Sequence, residues 1–305
     1  MITNAGKRPS LAPRNWGGWI LAGVLWLLGK TPVAAGLWLS KPLGALMYRA
    51  MKRRRAVAQR NIERCFPSLT PQDTEHLVRA NFRSLARTIF ETAWCWGMRR
   101  RKFRRMTRIE GLEYLLDAEE AGKGVLLITA HMTCLEIGGR VSCEAAPVVG
   151  VYRPLNNEVI EWYQNRCRLA YAQGVVSKRE IRSAIRCLRQ GGILWYAPDQ
   201  DFGPDQSLFV PFFGIPTATL EATHKLVSLT GCAVVPMFPA FDPASRSWVL
   251  RIQPALEGYP SGDAHADLAR LNAEMEAHVR LVPEQYWWIH RRFKTRPAGE
   301  PPFYD

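Results

Sequence analysis

Apolar positions dominate the chain from its start. Residues 16–39 read WGGWILAGVLWLLGKTPVAAGLWL, almost wholly apolar, with Trp16, Trp19, Trp26 and Trp38 spread along the run. At about 1.5 Å of rise per residue, a helix of that length spans a hydrocarbon layer of roughly 30 Å. Tryptophans toward its ends suit the headgroup level. Lys30 sits mid-run and Pro32 follows it. Two membrane readings therefore stand open: a span in which Lys30 snorkels, or a broken helix anchored at the interface. A buried helix of a soluble core is the third. No small-residue cleavage site follows and basic residues continue, unlike a secretory signal. We expect residues 1–45 to be a membrane anchor and 46–305 a cytoplasmic domain.

Beyond residue 70 the pattern becomes that of a globular domain. Leu77, Phe82, Leu85, Ile89 and Trp96 recur at helical spacing, with Thr70 or Ser68 placed to cap the start. Short apolar runs then alternate with helical stretches. Strands are expected at Val125–Ala130, Val148–Tyr152, Ile193–Ala197, Ala233–Phe238 and Trp248–Ile252. Helices are expected at Glu113–Ala121, Leu135–Glu144, Glu158–Ala172, Glu180–Arg189, Thr219–Leu229 and Ala266–Leu281. The alternation predicts an α/β fold, with a mixed, partly parallel sheet flanked by helices. Such folds place their sites at the carboxyl ends of strands.

Charge narrows the partners. There are 41 basic and 27 acidic residues, a net +14, which predicts an anionic partner: nucleic acid, anionic lipid or an acidic protein. One cluster, Arg49, Lys52, Arg53, Arg54, Arg55 and Arg60, adjoins the apolar run and reads as a membrane-surface element. A second runs from Arg99 to Arg108 and suits acidic headgroups or an acidic carrier protein. No recognised nucleic-acid module accompanies them, so that partner ranks last. The seven cysteines are scattered singly, without a C-x-x-C pair, as expected of free thiols in a reducing compartment.

Candidate chemistry centres on A-H-M-T-C-L-E, Ala130–Glu136. His131 falls just past the carboxyl end of a buried-type strand, where an imidazole can take a proton from an alcohol. With a strand-to-helix turn between them, Glu136 can fold back to fix the ring's tautomer. Thr133-x-x-Glu136 equally matches a capping box. Arg153 follows a strand and suits a phosphate, a carboxylate or a thioester oxyanion. Asp199 and Asp201 lie past another strand, one expected to pair with Arg153 or a substrate hydroxyl and the other to make a turn. Arg291, Arg292 and Lys294 suit phosphate. Glu221 and His224 lack a third ligand, so no metal is expected.

Six stretches in order give a resemblance. They are Arg60–Pro67 (RNIERCFP), His131–Glu136, Tyr152–Asn157 (YRPLNN), Trp195–Pro204 (WYAPDQDFGP), Phe209–Gly214 (FVPFFG) and Trp288–Lys294 (WIHRRFK). Together they resemble the late acyltransferases of lipid A biosynthesis, within the H-x(4)-[D/E] glycerolipid acyltransferases, over nearly the whole chain. The F-P-E-G-x-x-[RS] motif of the glycerol-phosphate branch is absent. The resemblance implies an enzyme on the cytoplasmic face of the bacterial inner membrane, without a cofactor of its own. It would move an acyl chain from the phosphopantetheine of acyl carrier protein to a hydroxyl on a 3-hydroxyacyl chain of a lipid A precursor. His131 would be the base and Glu136 its orienting partner, with Arg153, Asn156, Asp199, Asp201, Arg291 and Arg292 binding substrate. Acidic carrier protein, phosphorylated lipid A and anionic membrane lipids all suit the positive charge. The competing readings are an acyltransferase acting on another lysophospholipid or glycolipid, and a non-catalytic anionic-lipid binder indifferent to His131.

Overall fold

The computed structural model describes residues 1–304. In chain order the helices are α1 (Trp16–Leu28), α2 (Val33–Ala50), α3 (Lys52–Cys65), α4 (Pro71–Gly97) and α5 (Arg100–Arg104) before the sheet begins. Then follow β1 (Thr107–Glu110), α6 (Leu112–Glu120), β2 (Val125–Ile128), α7 (Leu135–Ala145), β3 (Val148–Tyr152), α8 (Glu158–Arg168), β4 (Gly174–Ser177) and α9 (Ile181–Arg189). The rest comprises β5 (Ile193–Tyr196), β6 (Ser207–Phe212), β7 (Ile215–Leu220), α10 (Ala222–Thr230), β8 (Ala233–Asp242), β9 (Ser247–Ile252) and α11 (Ala264–Leu281).

The N-terminal apolar run forms two helices rather than one. Pro32, which cannot donate a helical N–H, precedes α2, and the Gly29–Pro32 link separates it from α1. The 13 residues of α1 reach about 20 Å, short of a ~30 Å hydrocarbon layer. α2 carries Ser40, Lys41 and Pro42 in its middle. Among the described residues no helix is long and apolar enough to cross a membrane, which corrects the expectation of a spanning helix over 16–39. α2 runs on past residue 45 and packs closely on α4. At Gly44 a Cβ would lie 2.7 Å from the Arg83 Cα, so only glycine allows this approach. The Trp94 indole of α4 donates to the Thr31 carbonyl at 3.0 Å and holds the link between the two helices. α1 lies instead on α8, with Ala22 packed against Val159 and Ile160 and Trp19 edge-on to Trp162. Its outer stripe, Trp16, Ile20, Val24 and Leu27, is exposed.

The main sheet has seven strands in the order β1-β9-β8-β2-β5-β3-β4. β2 pairs in parallel with β5 and β8, and β3 with β5 and β4. β9 is antiparallel to β8 and parallel to β1. All four residues of β2 are buried, as the unbroken apolar run implies for a strand covered on both faces. A mixed, parallel-rich sheet flanked by helices was expected. The short edge strands β1 and β4 were not, nor was the β6–β7 hairpin, which turns through Phe213 and Gly214, both at positive φ. The helix expected from Thr219 begins at Ala222, because Thr219 and Leu220 complete β7.

Candidate active site

Strand register brings two of the candidate residues together. Ile128 of β2 pairs with Tyr196 of β5. Three residues past each of these, at the carboxyl ends of adjacent parallel strands, stand His131 and Asp199. The Asp199 carboxylate holds the histidine twice. Its Oδ2 accepts from the His131 backbone N–H at 2.9 Å, and its Oδ1 lies 2.5 Å from Nδ1. The Tyr286 hydroxyl donates to the same Oδ2 at 3.0 Å. Asp199 is 2% exposed and the imidazole 26%, so the acid is sealed beneath a ring that remains partly exposed at the cavity.

Electrostatics follow from this burial. Burial alone would raise the Asp199 pKa, yet the facing imidazole, its hydrogen bonds and the nearby Arg292 charge hold it well below the ordinary value. Burial works equally against a charged His131, and the Asp199 charge and hydrogen bond more than offset it, so the histidine pKa is raised. An ionised acid buried against one face of an imidazole fixes its tautomer and stabilises the imidazolium formed on proton uptake.

Behind His131 a cavity of about 240 Å³ runs between α7, α8 and the sheet. One face of α7 lines it with Leu135, Glu136, Gly139, Arg140 and Cys143, and Gly150, Val175 and Trp195 close the sheet side. An apolar cavity of 150 Å³ admits benzene, so this space suits an aliphatic chain. Arg153, Lys178 and Phe202 also line it, beside His131. The Cys143 thiol is pushed up to about 12 by burial, so it is no thiolate nucleophile.

Glu136 belongs to the cavity wall. It accepts from Arg168 Nε at 2.9 Å and Nη2 at 2.6 Å, from Trp96 Nε1 at 2.7 Å and from the Tyr171 hydroxyl at 3.3 Å. The carboxylate that bonds His131 is that of Asp199, not Glu136. Nor does Glu136 close a capping box, because Cys134 precedes α7 with no side-chain cap. A bidentate Arg168 keeps Glu136 ionised against its burial.

A family model described as bacterial lipid A biosynthesis acyltransferase matches residues 4–295. The chain belongs to that family. It is 37% identical over 295 residues to the lipid A biosynthesis lauroyltransferase of Escherichia coli (strain K12), covering 96% of each chain. It is also 37% identical over 299 residues to the palmitoleoyltransferase of the same organism, covering 98% of this chain and 97% of the relative. The E. coli myristoyltransferase is 27% identical over 290 residues, covering 94% and 90%. Equal identity to relatives named for different acyl groups means that overall similarity does not set the acyl group.

The remaining motif residues of this acyltransferase divide by burial. Arg153 is exposed at the cavity and pairs with neither aspartate. Asn156 is exposed between β3 and α8, where its neighbour Asn157 caps α8 by accepting from the Val159 and Ile160 N–H groups. Asp201 is buried, accepting from the Gly203 and Thr295 N–H groups and the Thr295 hydroxyl, so it ties a turn to the C-terminal segment. Arg292 is 2% exposed and donates to the Ala218 carbonyl at 2.6 Å. It therefore supports β7 from within and is not an open substrate contact. Arg291 is exposed, its guanidinium 4.8 Å from the Tyr304 ring centroid. The roles of two buried asparagines, Asn61 and Asn81, were not legible in the sequence. Asn61 donates to the Trp288 and His290 carbonyls, and Asn81 to those of Glu284 and Tyr286. They clamp the segment whose Trp287 N–H donates to the His131 carbonyl at 3.0 Å. His224 pairs with Asp267, and among the described residues no three potential metal ligands gather.

Proposed function

We propose that this acyltransferase moves a fatty acyl chain from the phosphopantetheine thioester of acyl carrier protein to a hydroxyl on a 3-hydroxyacyl chain of a lipid A precursor. The work is done at the cytoplasmic face of the bacterial inner membrane, with no cofactor of the enzyme's own. The supporting observation is a reachable His131, backed by ionised Asp199, beside a cavity suited to an aliphatic chain.

The acyl chain of the donor lies in the cavity, which brings its thioester to His131. The acceptor hydroxyl gives its proton to Nε2 as its oxygen attacks the thioester carbonyl. Asp199 stabilises the imidazolium, and the guanidinium of Arg153 or Arg168 faces the oxyanion. The carbon–sulfur bond then breaks. The departing thiolate takes the proton from the imidazolium, which returns His131 to its starting state. The exposed apolar stripe of α1 and the outer residues of α2, Trp38, Leu39 and Leu46, rest in the interface rather than cross it. The lipid acceptor is thereby brought to the site from one leaflet.

The test is mass spectrometry of a tetra-acylated lipid A precursor incubated with the enzyme and a mixed set of acyl carrier protein thioesters. The expected result is a gain of one acyl group, whose mass names the preferred chain. No gain from any carrier thioester, with transfer to lysophospholipid instead, would overturn this reading of donor and acceptor.

A further inference from the structure

Four arginines converge from opposite ends of the chain, outside the catalytic cavity. Arg53, Arg54 and Arg60 of α3 meet Arg291 and Tyr304 around a surface groove of about 590 Å³, floored by Ala56 and Val57. Three of the arginines are held in place by carbonyls or a ring rather than by acids among the described residues. Arg54 donates to the Ile289 carbonyl at 3.2 Å, Arg60 to the Phe303 carbonyl at 3.3 Å, and Arg291 stacks on Tyr304. Among the described residues none of the four makes a salt bridge. The second basic cluster differs: Arg100 and Arg104 pair with Glu144, and Arg108 with Glu110 and Asp242. Positive charge gathered in a groove, and without an acidic partner among the described residues, is poised for an external anion. Guanidinium forks match the oxygens of a phosphate, which they can bind bidentately.

We infer that this groove binds a phosphomonoester on the glycolipid acceptor, and so sets how the acceptor lies when its hydroxyl reaches His131. The inference rests on the acceptor class proposed above. Two observations favour a lipid-borne phosphate over an acidic protein. α3 follows directly from α2, and the exposed Leu46 of α2 lies only seven residues before Arg53, so an apolar exposed side chain precedes the groove closely in the chain. It is also tied to the site. Arg291 is four residues from Trp287, whose N–H bonds the His131 carbonyl, and four residues reach at most about 14 Å. That separation is within the span of one phosphorylated, acylated sugar unit.

The test compares the full-length enzyme with Arg53→Gln/Arg291→Gln, both exposed positions. Sedimentation is measured with phosphatidylcholine vesicles carrying the phosphorylated tetra-acylated glycolipid, or the same lipid after phosphatase treatment. Glycolipid-free vesicles containing phosphatidylglycerol form the third arm. The wild type should bind the phosphorylated glycolipid at least about tenfold more tightly than the dephosphorylated one. The variant should lose that ratio while keeping its binding to dephosphorylated vesicles. The single Arg53→Gln variant should lose part of the ratio and serves if the double variant fails to fold. An unchanged ratio overturns the inference. So does an equal gain on phosphatidylglycerol vesicles, which would mean a response to surface charge. Because binding is read without turnover, a failure of the proposed reaction remains a separate result.

Discussion

Replacing Asp199 by Asn tests the geometry at its centre. The amide keeps the size of the side chain and can still accept from the His131 backbone N–H. It removes the negative charge opposite Nδ1, now 2.5 Å away. A hydrogen bond to a charged group contributes about 1.5–3 kcal/mol, and each ~1.36 kcal/mol is tenfold in rate. Loss of imidazolium stabilisation alone should therefore cut kcat about 10- to 150-fold. If the amide also inverts the tautomer, the loss should approach the ~10⁴-fold seen when the acid of a serine-protease triad is changed in this way. The pH profile carries an independent signature. A general base works neutral, and Asp199 raises the His131 pKa, so wild-type activity should fall as the pH drops through a value above the ordinary ~6.5. In the variant only burial and Arg292 act on the ring, and both lower its pKa. The acid limb should then move down while the plateau rate falls. Initial rates from about pH 5 to about pH 9, with thermal unfolding as a control, decide the matter. A folded Asp199→Asn enzyme with near wild-type kcat and an unmoved acid limb would refute the reasoning.

Three further outcomes are expected. At Gly150 a Cβ would sit 3.6 Å from the Trp195 ring, so Gly150→Leu should fold and fill the cavity with the three carbons beyond its Cβ. At ~0.8 kcal/mol per methylene, the longest accepted donors should lose roughly 60-fold to shorter ones in a mixed-donor competition, and an unchanged product profile would place the acyl chain elsewhere. Ile20→Asp/Leu27→Asp alters side chains that are 68% and 61% exposed. It should abolish vesicle sedimentation and leave the unfolding midpoint nearly unchanged, and retained vesicle binding would argue against α1 as the interfacial face. Arg292→Met strands the buried Ala218 carbonyl, so urea unfolding should show a loss of about 1–3 kcal/mol, whereas a pure KM effect on a fully stable protein would restore Arg292 as a substrate contact.

The sequence exposed the sheet more readily than the site. β2 and β5 were legible because strands buried on both faces read as unbroken apolar runs, and His131 was legible because it ends one of them. β1 and β4, four residues each at the sheet edges, carry too few apolar positions to show a period. Asp199 was noticed but given another partner. Its bond to His131 depends on β5 lying next to β2, a pairing between residues 68 apart that no local pattern announces. Glu136, five residues from the histidine, was close enough in the chain to look like its partner. α7 instead turns it toward Arg168, whose position depends on α8. The anchor failed in its length: Pro32 divides the apolar run into two helices, and the second packs on α4 at Gly44. Asn61 lay within a quoted motif, yet an asparagine in a basic helix gives no sign that it clamps carbonyls 227 residues away.

The central claim is that His131 is the general base for acyl transfer. It is tested most directly by comparing the single-acyl mass gain catalysed by wild type and His131→Ala, at matched folded concentration and saturating donor. The account predicts a fall of at least about 100-fold, with the variant's unfolding midpoint preserved. A folded His131→Ala enzyme that acylates the precursor at near the wild-type rate would contradict it.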